Sequence, residues 1–220
     1  MRKFRRHIGL GIATSLFCGL SVAQGPTDNA SFFVTSENPG SGGNLGGLEG
    51  ADAHCQSLAE AAGIGGKTWR AYLSTSTVDA RDRIGNGPWY NSAGVMVAAD
   101  LDELHGDNNI TAATATDENG DTPVYLIVVD GEAQLPDGQL VHDVLTGTNE
   151  DGTAHELTCN DWTNGSADAQ AMLGHADRLG RNPGVNSWNA VHPSQGCAME
   201  NLTPTGGTGM YYCFAVDATP

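Results

Sequence analysis

The residues able to do chemistry are spread unevenly along the chain. Six histidines lie beyond residue 23: His54, His105, His142, His155, His175 and His192. His155-Glu156 lacks the second histidine of a His-Glu-x-x-His zinc motif, and no Gly-x-Ser-x-Gly nucleophile elbow occurs. His175, Asp177 and His192 could converge on a metal ion if the loop bearing them is closed, although scattered surface histidines are the plainer reading. Asp117, Asn119 and Asp121 present oxygens at alternate positions, as calcium loops do. The twelfth position of an EF-hand counted from Asp117 is Val128, and a plain acidic turn is the simpler account. Acidic residues are too numerous for a glycosidase pair to be singled out.

Two other groups suit recognition rather than catalysis. Asn160, Asp161 and Trp162 are adjacent, as are Trp188 and Asn189. An exposed indole flanked by amide and carboxylate groups can stack on a sugar face and hydrogen-bond its hydroxyls. The alternative is that both tryptophans fill the core beneath a long loop. Asn149-Glu150-Asp151-Gly152 is a further polar turn in the same region.

The charge balance narrows the partners. The chain has 26 Asp and Glu against 10 Lys and Arg. Four of those ten, Arg2, Lys3, Arg5 and Arg6, precede an uncharged apolar run from Ile8 to Leu20 and then Ser21-Val22-Ala23. This is the order of a secretory signal peptide, with cleavage expected after Ala23. The apolar run is too short to span a bilayer, so no membrane insertion is expected after the signal is removed. The remaining basic residues are Lys67, Arg70, Arg81, Arg83, Arg178 and Arg181, leaving a strongly acidic mature chain. Nucleic acid, heparin-like polyanions and anionic membranes are poor partners for such a surface. Residues 24–30 read as a linker and 31–220 as one domain. Four cysteines follow the leader, Cys55, Cys159, Cys197 and Cys213, and an even number in an exported chain predicts two disulfides with three possible connectivities.

The elements that must position these groups are partly readable. Ala51, Cys55, Leu58, Ala59 and Ala62 recur at helical spacing and predict a helix over Gly50 to Ala62. Ser31 to Ser36, Thr68 to Ser74 and Gly209 to Val216 are β-branched or aromatic and predict strands. Shorter strands are expected at Gly94 to Ala98 and Leu140 to Val144, with a helical turn at Asp100 to His105. Val124 to Val129 is continuously apolar and predicts a central strand. From Cys159 to Gly196 there is little periodicity and much Gly, Asn, Asp and Ser.

A cysteine-bearing first helix, a cysteine-bearing last strand and a loop-rich middle resemble the C-type lectin-like fold. Gly50-Ala51-Asp52-Ala53-His54-Cys55-Gln56, Trp69-Arg70-Ala71-Tyr72-Leu73-Ser74 and Tyr211-Tyr212-Cys213-Phe214 carry the likeness. Within that fold the chain is similar to endostatin, the C-terminal domain of collagen XVIII, and to related bacterial secreted domains; Leu157-Thr158-Cys159-Asn160-Asp161-Trp162-Thr163 also fits that pattern. The resemblance implies an α+β domain with one principal helix on a small twisted antiparallel sheet, a long disulfide-closed loop region, and the pairings Cys55–Cys213 and Cys159–Cys197. The family's N-terminal zinc histidines have no counterpart in residues 24 to 36, and its arginine-rich heparin surface is missing. Calcium-dependent lectins use Glu-Pro-Asn or Gln-Pro-Asp with Trp-Asn-Asp; here Gln134-Leu135-Pro136-Asp137 has an extra residue and Trp188-Asn189-Ala190 ends without the acid.

These readings predict a secreted protein, extracellular or periplasmic, whose domain binds glycan or protein surfaces without catalysis. Asn160, Asp161, Trp162, Trp188 and Asn189 are the expected ligand residues. Asp117, Asn119 and Asp121 are the expected metal residues, with calcium as the ion. A structural or adhesive protein with architectural calcium, and then a metal-dependent hydrolase, are the alternatives.

Overall fold

The computed structural model describes residues 25–122, 127–129, 132–134, 142–178 and 186–217. The leader, residues 124–126, most of the 134–137 motif and Arg181 lie outside the described residues. The strands are β1 (Phe32–Val34), β2 (Trp69–Ala71), β3 (Trp89–Tyr90), β4 (Met96–Ala98), β5 (Ile127–Val129), β6 (Glu132–Gln134), β7 (Asp143–Leu145), β8 (Met172–His175), β9 (His192–Pro193) and β10 (Gly207–Ala215). The principal helix α1 spans Gly47–Ala61, and α2 is a single turn, Leu101–Leu104.

β10 is the hub of the largest sheet, whose order is β1-β10-β7-β8-β9, with β2 also on β10. Its aromatic run pairs antiparallel with β1 (Phe32↔Phe214) and with β2 (Cys213↔Ala71). β7 runs parallel to β10, so the sheet is mixed rather than wholly antiparallel as expected. The expected central strand at Val124 to Val129 is also corrected. Among the described residues, its described part, β5, pairs with β6 in a two-stranded ribbon and not with the main sheet.

The helix begins earlier than the apolar spacing indicates because Gly46 and Gly47 adopt positive φ, which lets the chain turn sharply into it. At the other end Gly63 N–H donates to Glu60 O and Ile64 N–H to Ala59 O, a Schellman closure. Ala51, Cys55, Leu58 and Ala59 form the buried face. Asp52, one turn before Cys55, accepts from the Ala71 amide of β2, and both its oxygens accept from Arg83 Nη2, at 2.9 and 2.7 Å. Arg83 is buried, and its Nη1 donates to Ala71 O. Helix, β2 and the 80–83 turn are thereby fixed together.

Two disulfides are present, Cys55–Cys213 and Cys159–Cys197, both buried. The first clamps α1 to β10. Around it lies an aromatic core of Phe32, Phe33, Trp69, Tyr72, Trp89, Tyr212 and Phe214. No helix among the described residues is long and apolar enough to cross a membrane.

Candidate functional site

The five expected ligand residues do not form one surface. Cys159, Asn160, Asp161 and Trp162 all have positive φ, between 51° and 65°, and make a left-handed helical turn from non-glycine residues. Such a conformation costs roughly 1–2 kcal/mol per residue. Thr158 caps the turn, accepting from the Asp161 amide. The Asp161 carboxylate accepts from Ser76 N and Ser76 Oγ, both at 2.7 Å. The Trp162 indole is completely buried and donates to Ser74 O at 2.7 Å. Asp161 and Trp162 are therefore committed to holding the turn. Asn160 alone is exposed, on a cleft with Glu156, Asn164 and Asp168.

Trp188 and Asn189 lie elsewhere, against a second pocket of about 240 Å³ bordered by His105, Glu150, Arg178, Asn186 and Ser187. Both are scaffold. Trp188 is buried against Tyr72, Tyr212 and His105. Asn189 Nδ2 faces Tyr72 Oη, Asn149 O and Glu150 O at 3.0–3.2 Å, and its Oδ1 accepts from Ser187 Oγ. The chain continues through Tyr72, whose hydroxyl donates to His105 Nε2 at 2.8 Å while His105 Nδ1–H donates to Leu101 O. Burial pushes the Tyr72 phenol far above its ordinary pKa and lowers that of His105, so this wall of the pocket is neutral and ordered. Gly174 in β8 and Gly152 permit the wall to close. A Cβ at Gly174 would strike Trp188 O, and one at Gly152 would strike His105 Nε2.

The expected calcium residues form a hydrogen-bonded turn. Asp117 is buried, and its Oδ1 accepts from the amides of Asn119 and Asp121 at 2.9 and 3.0 Å. The Asn119 side-chain amide reaches toward Glu118, and Asp121 is exposed. Burial, then the neighbouring Glu118 charge, raises the Asp117 pKa to about 6. Asp117 closes a turn here, which is work its side chain can do without an ion.

A different group does converge. Among the described residues, the ligand atoms of His142, Asp143 and His175 lie within 4.8 Å of one another. Asp143 Oδ1 is 3.4 Å from His142 Nε2, 3.2 Å from His175 Nε2 and 3.6 Å from His192 Nε2. The His175 and His192 Nε2 atoms are 3.2 Å apart. Of the trio that the sequence offers as metal ligands, His175, Asp177 and His192, the two histidines therefore meet. Asp177 instead stands behind His142, with both carboxylate oxygens 3.2 Å from Nδ1. His142 and Asp143 are hard to read as a pair from the sequence because they lie at the start of a short strand whose partners are distant along the chain. The signal that could have found them is the His-Asp dipeptide itself.

A family model described as Protein of unknown function (DUF1554) matches residues 38–179, which include α1, the left-handed turn, His142, Asp143 and His175. No curated protein matches the chain.

Proposed function

Since the chain belongs to the DUF1554 family, whose match covers more than half its length, we propose that it is an exported, non-catalytic binding domain of C-type lectin-like architecture. It takes hydroxyl-rich groups of a glycan or glycosylated protein at the pocket beside Glu150, Arg178 and Ser187. The observation that carries this reading is the pocket's preformed polar wall. The Asn189–Tyr72–His105 hydrogen-bond chain is complete before any ligand arrives, so the wall need not reorganise on binding. His105 spends both ring nitrogens on Leu101 O and Tyr72, which favours a binding role for it over a proton-transfer role. Buried disulfides support an oxidising destination, in keeping with the N-terminal leader read from the sequence. Adjacent first and last strands and a helix clamped to β10 by Cys55–Cys213 support the lectin-like reading.

Glu150 and Asn186 offer the test, since their backbone carbonyls, accepting from Asn189 and Arg178, hold the pocket while both residues are exposed. Full-length protein is screened on a glycan array and an extracellular-matrix panel. Glu150→Ala with Asn186→Ala is expected to weaken the strongest binding at least about tenfold, equivalent to one good hydrogen bond, with unchanged melting temperature. Binding indifferent to both substitutions, or no binding on either panel, would overturn the pocket.

A further inference from the structure

We propose that His142, Asp143, His175 and His192 form a four-coordinate site for a divalent transition-metal ion of the zinc type. The site goes beyond the ligand pocket proposed above and lies apart from it in chemistry.

Strand register builds it. In the β7–β8 ladder Asp143 is directly opposite His175, and in the β8–β9 ladder His192 is opposite Leu173, two residues from His175. Residues opposite or two apart share a face of a sheet, so Asp143, His175 and His192 meet on one side. His142 precedes β7 and is held off the ladder: its amide donates to Gly206 O, and its carbonyl accepts from Ala176 N. Its ring stacks on His175, with centroids 3.7 Å apart.

The spacing fits an ion. Zinc binds imidazole nitrogen and carboxylate oxygen at about 2.0–2.2 Å, which places tetrahedral ligands about 3.3 Å from one another. Four of the six separations among these atoms are 3.2, 3.2, 3.4 and 3.6 Å. The atoms of His142, Asp143 and His175 all lie within 4.8 Å of one another, and His192 joins them through Asp143 and His175. Hydrogen bonding explains the cluster less well. Both Asp143 oxygens are buried and neither receives a hydrogen bond of ordinary geometry. Three imidazoles crowd one of them, more donors than a carboxylate oxygen's lone pairs can take in favourable directions. A buried carboxylate without such partners is costly, and a cation among the four groups removes that cost.

The outward-facing ring nitrogens are prepared as metal ligands require. His142 Nδ1 is held by Asp177 and His192 Nδ1 by Pro193 O at 3.0 Å, which directs each Nε2 lone pair inward. Three imidazoles and one carboxylate, with no thiolate, suit zinc and its borderline neighbours, whereas calcium prefers all-oxygen ligands. Four protein ligands fill a tetrahedral shell, so the ion would hold β7, β8 and β9 together rather than activate water. Arg178 of the ligand pocket directly follows Asp177, and the His175 amide donates to Ser187 O. Metal occupancy would thus brace the pocket's far wall.

The test uses the full chain stripped with a chelator and then titrated with zinc and with cobalt. One equivalent of zinc should bind by native mass spectrometry and calorimetry. The cobalt adduct should show the intense visible bands of a tetrahedral site without thiolate charge transfer. Asp177→Asn should weaken zinc by about 10–100-fold, the usual effect of losing an outer hydrogen-bond partner. Asp143→Asn and His175→Gln should weaken it further, and His155→Gln should leave it unchanged. Should a core variant fail to fold, His192→Gln decides, because that side chain is 34% exposed and at a sheet edge. Absent stoichiometric binding, an octahedral cobalt spectrum, or affinity unaffected by His192→Gln would each overturn the site.

Discussion

Asp117 shows how one buried carboxylate sets local stability. Its oxygen closes a turn by accepting two backbone amides, yet burial and the adjacent Glu118 raise its pKa to about 6 from an ordinary value near 4. A raised folded-state pKa means that the folded protein holds this proton more tightly than the unfolded chain does. The group's stabilising contribution is therefore complete below about pH 4 and is lost as pH rises through about 6. Asp117→Asn keeps the accepting oxygen and removes the titration. Its stability relative to the parent should rise between pH 4 and pH 7, by about 1–2 kcal/mol after allowance for solvent screening at the loop edge. Urea denaturation at the two pH values checks this, and a pH-independent difference would refute it. Glu118 beside it is differently employed, accepting from the Ser36 amide and hydroxyl and so tying the loop to the end of β1.

At the scale of elements, the left-handed turn at 159–162 holds conformational strain and has visible compensation. Thr158 caps it, Ser76 grips Asp161, the Trp162 indole reaches Ser74 O, and the Cys159–Cys197 bond anchors its first residue. Asn160 is the exposed position where the backbone preference can be read without disturbing a contact. Asn160→Val should cost about 1–2 kcal/mol because a β-branched residue resists positive φ, whereas Asn160→Gly should be close to neutral. Chemical denaturation compares the pair; equal effects would argue against the left-handed turn. β8 illustrates another constraint at this scale. Gly174 would ordinarily weaken a strand, but its missing side chain lets the Trp188 carbonyl approach, which places the pocket wall against the sheet.

The whole molecule is closed by two covalent links of unequal reach. Cys55–Cys213 spans 158 residues and joins the principal helix to the last strand, while Cys159–Cys197 spans 38 and closes the loop region. By loop-closure entropy the first should stabilise by about 5 kcal/mol and the second by about 4 kcal/mol. Replacing each pair by serine should lower the melting temperature in that order, measured by calorimetry under conditions where unfolding is reversible. The reverse order would show that native contacts around Cys159, rather than chain entropy, dominate. Sequence and tertiary structure contribute differently at this scale. The spacing of Ala51, Cys55, Leu58 and Ala59 by itself determined the helix, and the aromatic runs determined β1, β2 and β10, because those signals lie within one element's own period. Cysteine number determined that bridges form, and the scarcity of basic residues determined that the chain is strongly acidic. Only the tertiary structure decided that Trp162 is core, that Trp188 and Asn189 are buried in a pocket wall away from Trp162, that β7 runs parallel to β10, and that His142, Asp143, His175 and His192 come together. Those outcomes depend on pairings between segments tens of residues apart, and a register shift of one residue would turn the same side chains to the opposite face.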